Sequence, residues 1–163
     1  MRFTALESST DSTTSRRRFL QAAVAGAAGS LVIPGLASAA EWTAAEKASV
    51  KVVNDMCAAW KAPLDFDAIG RFLAEDCVFR ASETAPPMKG RQAIVDGLRK
   101  MLGAPSKAGF EIVQTFARGP IVVNERFDRF TMPNRQVDWN GVGVFFVRDG
   151  LIAEWSDYGI KKP

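Results

Sequence analysis

Apolar positions along this chain repeat first at helical and later at strand spacing. Thr43-x-x-Glu46 reads as a capping box, and Val50, Val53, Cys57 and Trp60 follow it on one helical face. This predicts a first helix running to about Lys61, stopped by Pro63. Asp65 can cap a short second helix with Ile69, Phe72 and Leu73 turned inward. Cys77 to Arg80 reads as a strand, and a loop with Pro86, Pro87 and Gly90 follows. Ile94, Val95, Leu98 and Leu102 share one face of a third helix that Gly103 ends. From Gly109 the period becomes two: Phe110, Ile112, Gln114 and Phe116 alternate with other residues as far as Gly119-Pro120. Long strands are expected at Ile121 to Met132, Val137 to Arg148 and Leu151 to Gly159, turned by Pro133-Asn134 and Asp149-Gly150.

Helices first and a meander of long strands afterwards define an α+β fold. A strongly curved sheet wrapped around three helices leaves an interior pocket lined by the inward residues of the strands. No segment repeats, and no low-complexity linker divides the domain.

The strand Asn124-Glu125-Arg126-Phe127-Asp128-Arg129-Phe130 carries an anomaly. Arg126 and Asp128 share a face with Val122, Phe130 and Met132, which are apolar and mark the interior. The last strand repeats it, because Asp157 ends the row Leu151, Ala153, Trp155. Two carboxylates and one guanidinium thus point into the same interior, where unpaired charge is too costly for a small domain. One reading is a structural Asp–Arg–Asp bridge. The other follows from the charge mismatch: one arginine cannot offset two acids, so one aspartate keeps a proton beside an ionised partner. Such a pair is a general acid next to a general base.

Composition narrows the chemistry. The 163-residue chain contains no histidine, which removes the commonest metal ligand and the commonest general base. Catalysis would therefore run on carboxylates, with no metal or cofactor expected. Cys57 and Cys77, the only cysteines, sit among apolar residues and read as core fillers rather than a bridge. Gly141-Val142-Gly143 lies inside a strand and is not a phosphate loop.

Residues 1–39 read as an export signal: the twin arginine of Ser15-Arg16-Arg17-Arg18-Phe19-Leu20, a weakly apolar run from Ala22 to Ile33, and the small-residue exit Ala37-Ser38-Ala39. The run is shorter than the roughly 20 apolar residues of a spanning helix, so no stable membrane insertion of the mature chain is expected. Cleavage is expected after Ala39, with a periplasmic or extracellular destination. The remaining 124 residues, 40–163, make one domain with 17 basic against 16 acidic residues. That balance, and the want of a basic groove, argue against a nucleic-acid partner.

Asn124 to Phe130, with Gly150-Leu-Ile-Ala-Glu-Trp-Ser-Asp157-Tyr-Gly-Ile160 placing a second aspartate 29 residues after Asp128, resembles the limonene-1,2-epoxide hydrolase family. That family belongs to the nuclear-transport-factor-2-like, or SnoaL-like, superfamily. The resemblance extends through Arg71-Phe-Leu-Ala-Glu-Asp-Cys-Val-Phe-Arg80 and Gly90-Arg-Gln-Ala-Ile94 over the mature chain. It implies a cystatin-like cone and a homodimer. It also implies hydration of a hydrophobic epoxide to a vicinal diol, with Asp128 as acid, Asp157 as base and Arg126 bridging them. Phe79, Phe130, Met132, Trp139 and Trp155 are expected to line the core or substrate pocket, and Tyr158, by alternation, to face away from Asp157. Two positions depart from the family, which carries Tyr-x-Asn to hold the attacking water where this chain has Phe79-Arg80-Ala81. Ser82, Glu83, Thr84 and Asn140 are the nearby polar substitutes. The alternatives are a non-catalytic binder of a lipid- or steroid-sized ligand, and a SnoaL-like cyclase or isomerase.

Overall fold

A computed structural model describes residues 41–160, so the export signal read in residues 1–39 lies outside the described residues. The order of elements is α1 (Ala44–Ala58), α2 (Phe66–Gly70), β1 (Leu73–Arg80), β2 (Met88–Lys89), α3 (Arg91–Leu102), β3 (Lys107–Arg118), β4 (Ile121–Met132), β5 (Arg135–Arg148) and β6 (Leu151–Gly159). The strands form one curled mixed sheet in the order β2-β1-β6-β5-β4-β3, antiparallel except where β1 runs parallel to β6.

The start of α1 is built as its sequence predicts. The Thr43 hydroxyl accepts from the Glu46 N–H at 3.2 Å, and Glu46 Oε2 accepts from the Thr43 N–H at 2.8 Å. The second oxygen of Glu46 accepts from the Gly119 N–H at 2.8 Å, which ties the helix start to the β3–β4 turn. Asp65 caps α2 through the Ala68 N–H. Asp149 and Gly150 both take positive φ, 52° and 74°, as the tight β5–β6 hairpin requires. Val53, Met56, Ile69, Leu73, Ile94, Leu98, Phe145 and Trp155 are sealed between the helices and the inner face of the sheet.

Several boundaries differ from expectation. β1 begins at Leu73, so Phe72 and Leu73 leave the face of α2. Pairing with the distant last strand extends β1, since Leu73 lies opposite Ile152 and the Ile152 N–H donates to the Phe72 carbonyl. The segment before α3 contains the two-residue strand β2, held on β1. β3 and β5 each start two residues early, at Lys107 and Arg135. A bulge between Ile112 and Gln114 breaks the alternation of β3, leaving Val113 unpaired. Phe110 and Ile112 therefore stand opposite Asp128 and Arg126, whereas Phe116 turns outward and is 59% exposed.

Candidate active site

The inward row of β4 and the end of β6 converge on one buried cluster. Arg126 is fully buried, and its Nε and Nη2 donate to the two oxygens of Asp128 at 2.9 and 3.3 Å. The same Nη2 donates to Asp157 Oδ1 at 2.8 Å, joining acids that lie on different strands. Nη1 donates to the Asn124 side-chain oxygen at 3.1 Å, and the Asn124 amide in turn donates to Cys57 Sγ at 3.5 Å. Phe110, Trp139 and Phe145 surround the guanidinium, with its carbon 4.6, 5.3 and 5.9 Å from their ring centres. Cation–π attraction of this kind is strongest where water is excluded.

Both carboxylates open onto an apolar cavity of about 260 Å³. Phe79, Phe130, Met132, Trp139 and Trp155 all line it, together with Asp128 and Asp157. Arg126 does not; it sits behind the acids and holds them from beneath. Trp60, stacked on Phe110 at 4.6 Å, completes the inner wall, and Leu98 of α3 belongs to the opposite side.

Burial pushes the Asp128 carboxyl up to about 7; Arg126 opposes the shift and the Asp157 charge adds to it. Asp157 is also raised, first by burial, against the pull of Arg126 and of its hydrogen bonds from Arg126 and Trp155. Burial works against the Arg126 charge as well, yet the two carboxylates outweigh it and raise its pKa. A guanidinium shared by two such acids favours a single proton held between them. The hydrogen bonds distinguish the pair. Asp157 Oδ1 accepts both Arg126 Nη2 and the Trp155 indole N–H, the latter at 2.7 Å, which favours the ionised form of that acid.

Trp155 therefore does more than line the pocket, and alternation along β6 carries the signal, since residues two apart share a face. Asn124 could be found in the same way, one inward step before Arg126. None of the other polar candidates, Ser82, Glu83, Thr84 and Asn140, lines the cavity. Glu83 accepts the Gly159 N–H, and the Asn140 amide donates to the Arg126 carbonyl. Tyr158 is exposed on the outer face. Cys57 and Cys77 are free, buried thiols, pushed by burial up to about 11 and about 12, so neither is a ready nucleophile. Among the described residues, no group of three or more His, Cys, Asp or Glu is placed to hold a metal ion.

Comparison with known proteins places this architecture. Residues 53–155 match the SnoaL-like domain model, and the chain belongs to that family. Epoxide hydrolase EphG of Mycobacterium tuberculosis is 32% identical over 96 residues, 58% of this chain. The chain spans 62% of the length of that curated relative. The structure of an LEH-like epoxide hydrolase from M. tuberculosis superposes with a TM-score of 0.60 at 29% identity, covering 71% of this chain and 84% of that one. An NTF-2 like protein of unknown function from Burkholderia xenovorans LB400 shares the fold at 20% identity, with a TM-score of 0.58 over 73% of this chain and 90% of that one. A protein of ketosteroid isomerase-like fold from Catenulispora acidiphila does so at 18% identity, with a TM-score of 0.59 over 66% and 84%.

Proposed function

We propose that this chain is an exported, cofactor-independent epoxide hydrolase that converts a hydrophobic epoxide to a vicinal diol. The observation that carries the reading is Arg126 donating to both Asp128 and Asp157 at the inner end of an apolar cavity. Similarity to a sequence named an epoxide hydrolase and to the structure of an LEH-like epoxide hydrolase supports the reaction class.

Asp128, the acid with the raised pKa, donates its proton to the oxirane oxygen as the carbon–oxygen bond breaks. Asp157 takes a proton from water as the new carbon–oxygen bond forms. Its Oδ1 is occupied by Arg126 and Trp155, which leaves Oδ2 for that water. One proton leaves the pair and one joins it, so a transfer from Asp157 back to Asp128 restores the starting state. Arg126 stays charged throughout and holds both acids at fixed positions, which supplies the orientation such a reaction needs. The apolar walls suit a small hydrophobic substrate.

The assembly proposed is a homodimer. Phe116, Ile121, Phe146 and Tyr158 are exposed, and the strand register sets Phe146 opposite Ile121 on the outer face of the sheet. The export proposal rests on the twin-arginine signal in the sequence.

The decisive experiment is a panel of terpene, styrene and long-chain epoxides incubated with wild type, Asp128→Asn and Asp157→Asn. Diol formation by wild type that both substitutions abolish is the expected result; activity indifferent to either removes the assigned roles. Phe79 and Ala81 favour a second reading, a non-catalytic receptor for a small apolar ligand, because neither offers a hydrogen bond to water. Tight binding of such ligands with no turnover of any epoxide would select it.

A further inference from the structure

The cavity carries a third charged residue that the proposed chemistry leaves unused. Arg135 lines it and is exposed, as is Met101 of α3, and these two mark the rim; Asp128 and Asp157 mark the buried end. Among the described lining residues Arg135 is the only cation, and it forms no salt bridge among the described residues. Its Nε rests instead 3.1 Å from Met132 Sδ, which holds the side chain against the rim.

The sheet register sets the spacing between the backbone levels of Arg135 and of Asp128, the nearer acid along β4 and β5. Asp128 pairs with Trp139, Phe130 with Val137 and Met132 with Arg135, so the backbone levels of Asp128 and Arg135 are four residues apart on either strand. At strand spacing that is roughly 13 Å, the reach of an extended chain of about ten carbons. Between the two levels the lining of the strands is apolar, Phe130 and Val137, and Met132 lies beside Arg135.

We propose that Arg135 is an anion subsite, and that the ligand is a medium-chain amphiphile with a carboxylate at one end. Resting on the epoxide-opening reading, this makes the substrate a terminal epoxide whose carboxylate lies at the opposite end of the chain. A single exposed arginine that meets no acid of its own is suited to pair with a carboxylate in two-pronged geometry. The oxirane then reaches Asp128 and Asp157 while the carboxylate stays at the solvent rim, where its desolvation is slight.

The test compares 9,10-epoxydecanoate with its methyl ester, on wild type and Arg135→Gln. Wild type should prefer the acid in kcat/KM, through KM. Arg135→Gln should lower the acid-to-ester ratio by about tenfold, as expected of a lost charge-assisted contact. Lys107→Gln, at a cation outside the cavity, should keep the wild-type ratio. An acid-to-ester ratio that Arg135→Gln leaves unaltered overturns the subsite. If wild type opens neither compound, the hydrolase reading fails, and the subsite is then read from binding. Decanoate should quench the fluorescence of the pocket tryptophans at about tenfold lower concentration in wild type than in Arg135→Gln. Equal affinity in the two proteins, or no preference over methyl decanoate, overturns it.

Discussion

Arg126 occupies space that only a glycine at position 143 leaves open. A Cβ built on Gly143 would overlap Arg126 Nη1 and lie 2.7 Å from Phe145 Cε2. The guanidinium cannot retreat, because Asn124, Asp128 and Asp157 hold its nitrogens and Phe110 packs over its carbon. Gly143→Ala should therefore destabilise the fold by about 1–3 kcal/mol, as overpacking of a well-filled core does. It should also displace the bridge between the acids. Thermal unfolding and epoxide turnover report the two effects separately, and an unaltered melting temperature would show that the cluster can yield.

The two aspartates should differ from Arg126 in how they fail. Asp128→Asn and Asp157→Asn keep shape and remove the proposed proton transfers, so turnover should fall by roughly 10²- to 10⁴-fold while folding is retained. Arg126→Leu strips both acids of their partner and should cost about 3–5 kcal/mol, the penalty for breaking a buried ion pair from one side. If the cluster were only a structural bridge, either Asn variant would lose stability and there would be no wild-type turnover to lose.

The β4 half of this site is legible from alternation alone. Val122, Asn124, Arg126, Asp128, Phe130 and Met132 are all buried as one row, since β4 keeps its register with β5 along its whole length. Asp157 is equally legible at the end of the β6 row. What escaped local reading depends on pairing between distant segments. Phe110 faces the guanidinium, but the bulge at Val113 moves Phe116 to the other side of the sheet, and no apolar pattern within β3 announces that reversal. β1 gains its first residues from contact with β6, across more than seventy positions of chain. Arg135 follows the Pro133-Asn134 turn, and only the register with Met132 sets it at the cavity rim.

The pH profile should report the shared proton. Asp128 titrates at about 7 in the folded chain against 3.8 for an ordinary aspartate, with burial the main cause. The folded protein holds a proton that the unfolded chain releases, so stability should fall as pH rises from roughly 4 to 7 and level off above. In the proposed mechanism turnover uses that same proton, so it should decline about tenfold per unit above about pH 7. Trp155→Phe should keep the ring packing and delete the 2.7 Å donor to Asp157. Loss of that donor raises the Asp157 pKa, so the acid limb of the profile should move to higher pH. An acid limb that stays in place would show that the indole N–H does not set the state of the base.

Phe79 and Ala81 offer the remaining test, because both line the cavity and neither can hold water. The resemblance to the limonene-epoxide hydrolases puts a tyrosine and an asparagine at these positions. Phe79 is buried with its ring centre 4.1 Å from that of Trp155, so Phe79→Tyr adds a hydroxyl that needs a partner. Ala81 is only half-buried, and Ala81→Asn can project an amide into the cavity at little cost. The double variant supplies both, and the water it orients can satisfy the tyrosine hydroxyl. Orientation of the nucleophile is a large part of such catalysis, so kcat should rise by about tenfold or more in the double variant, with KM little altered. An unchanged kcat would mean that Asp157 alone positions the water here, through the oxygen that Arg126 and Trp155 leave free.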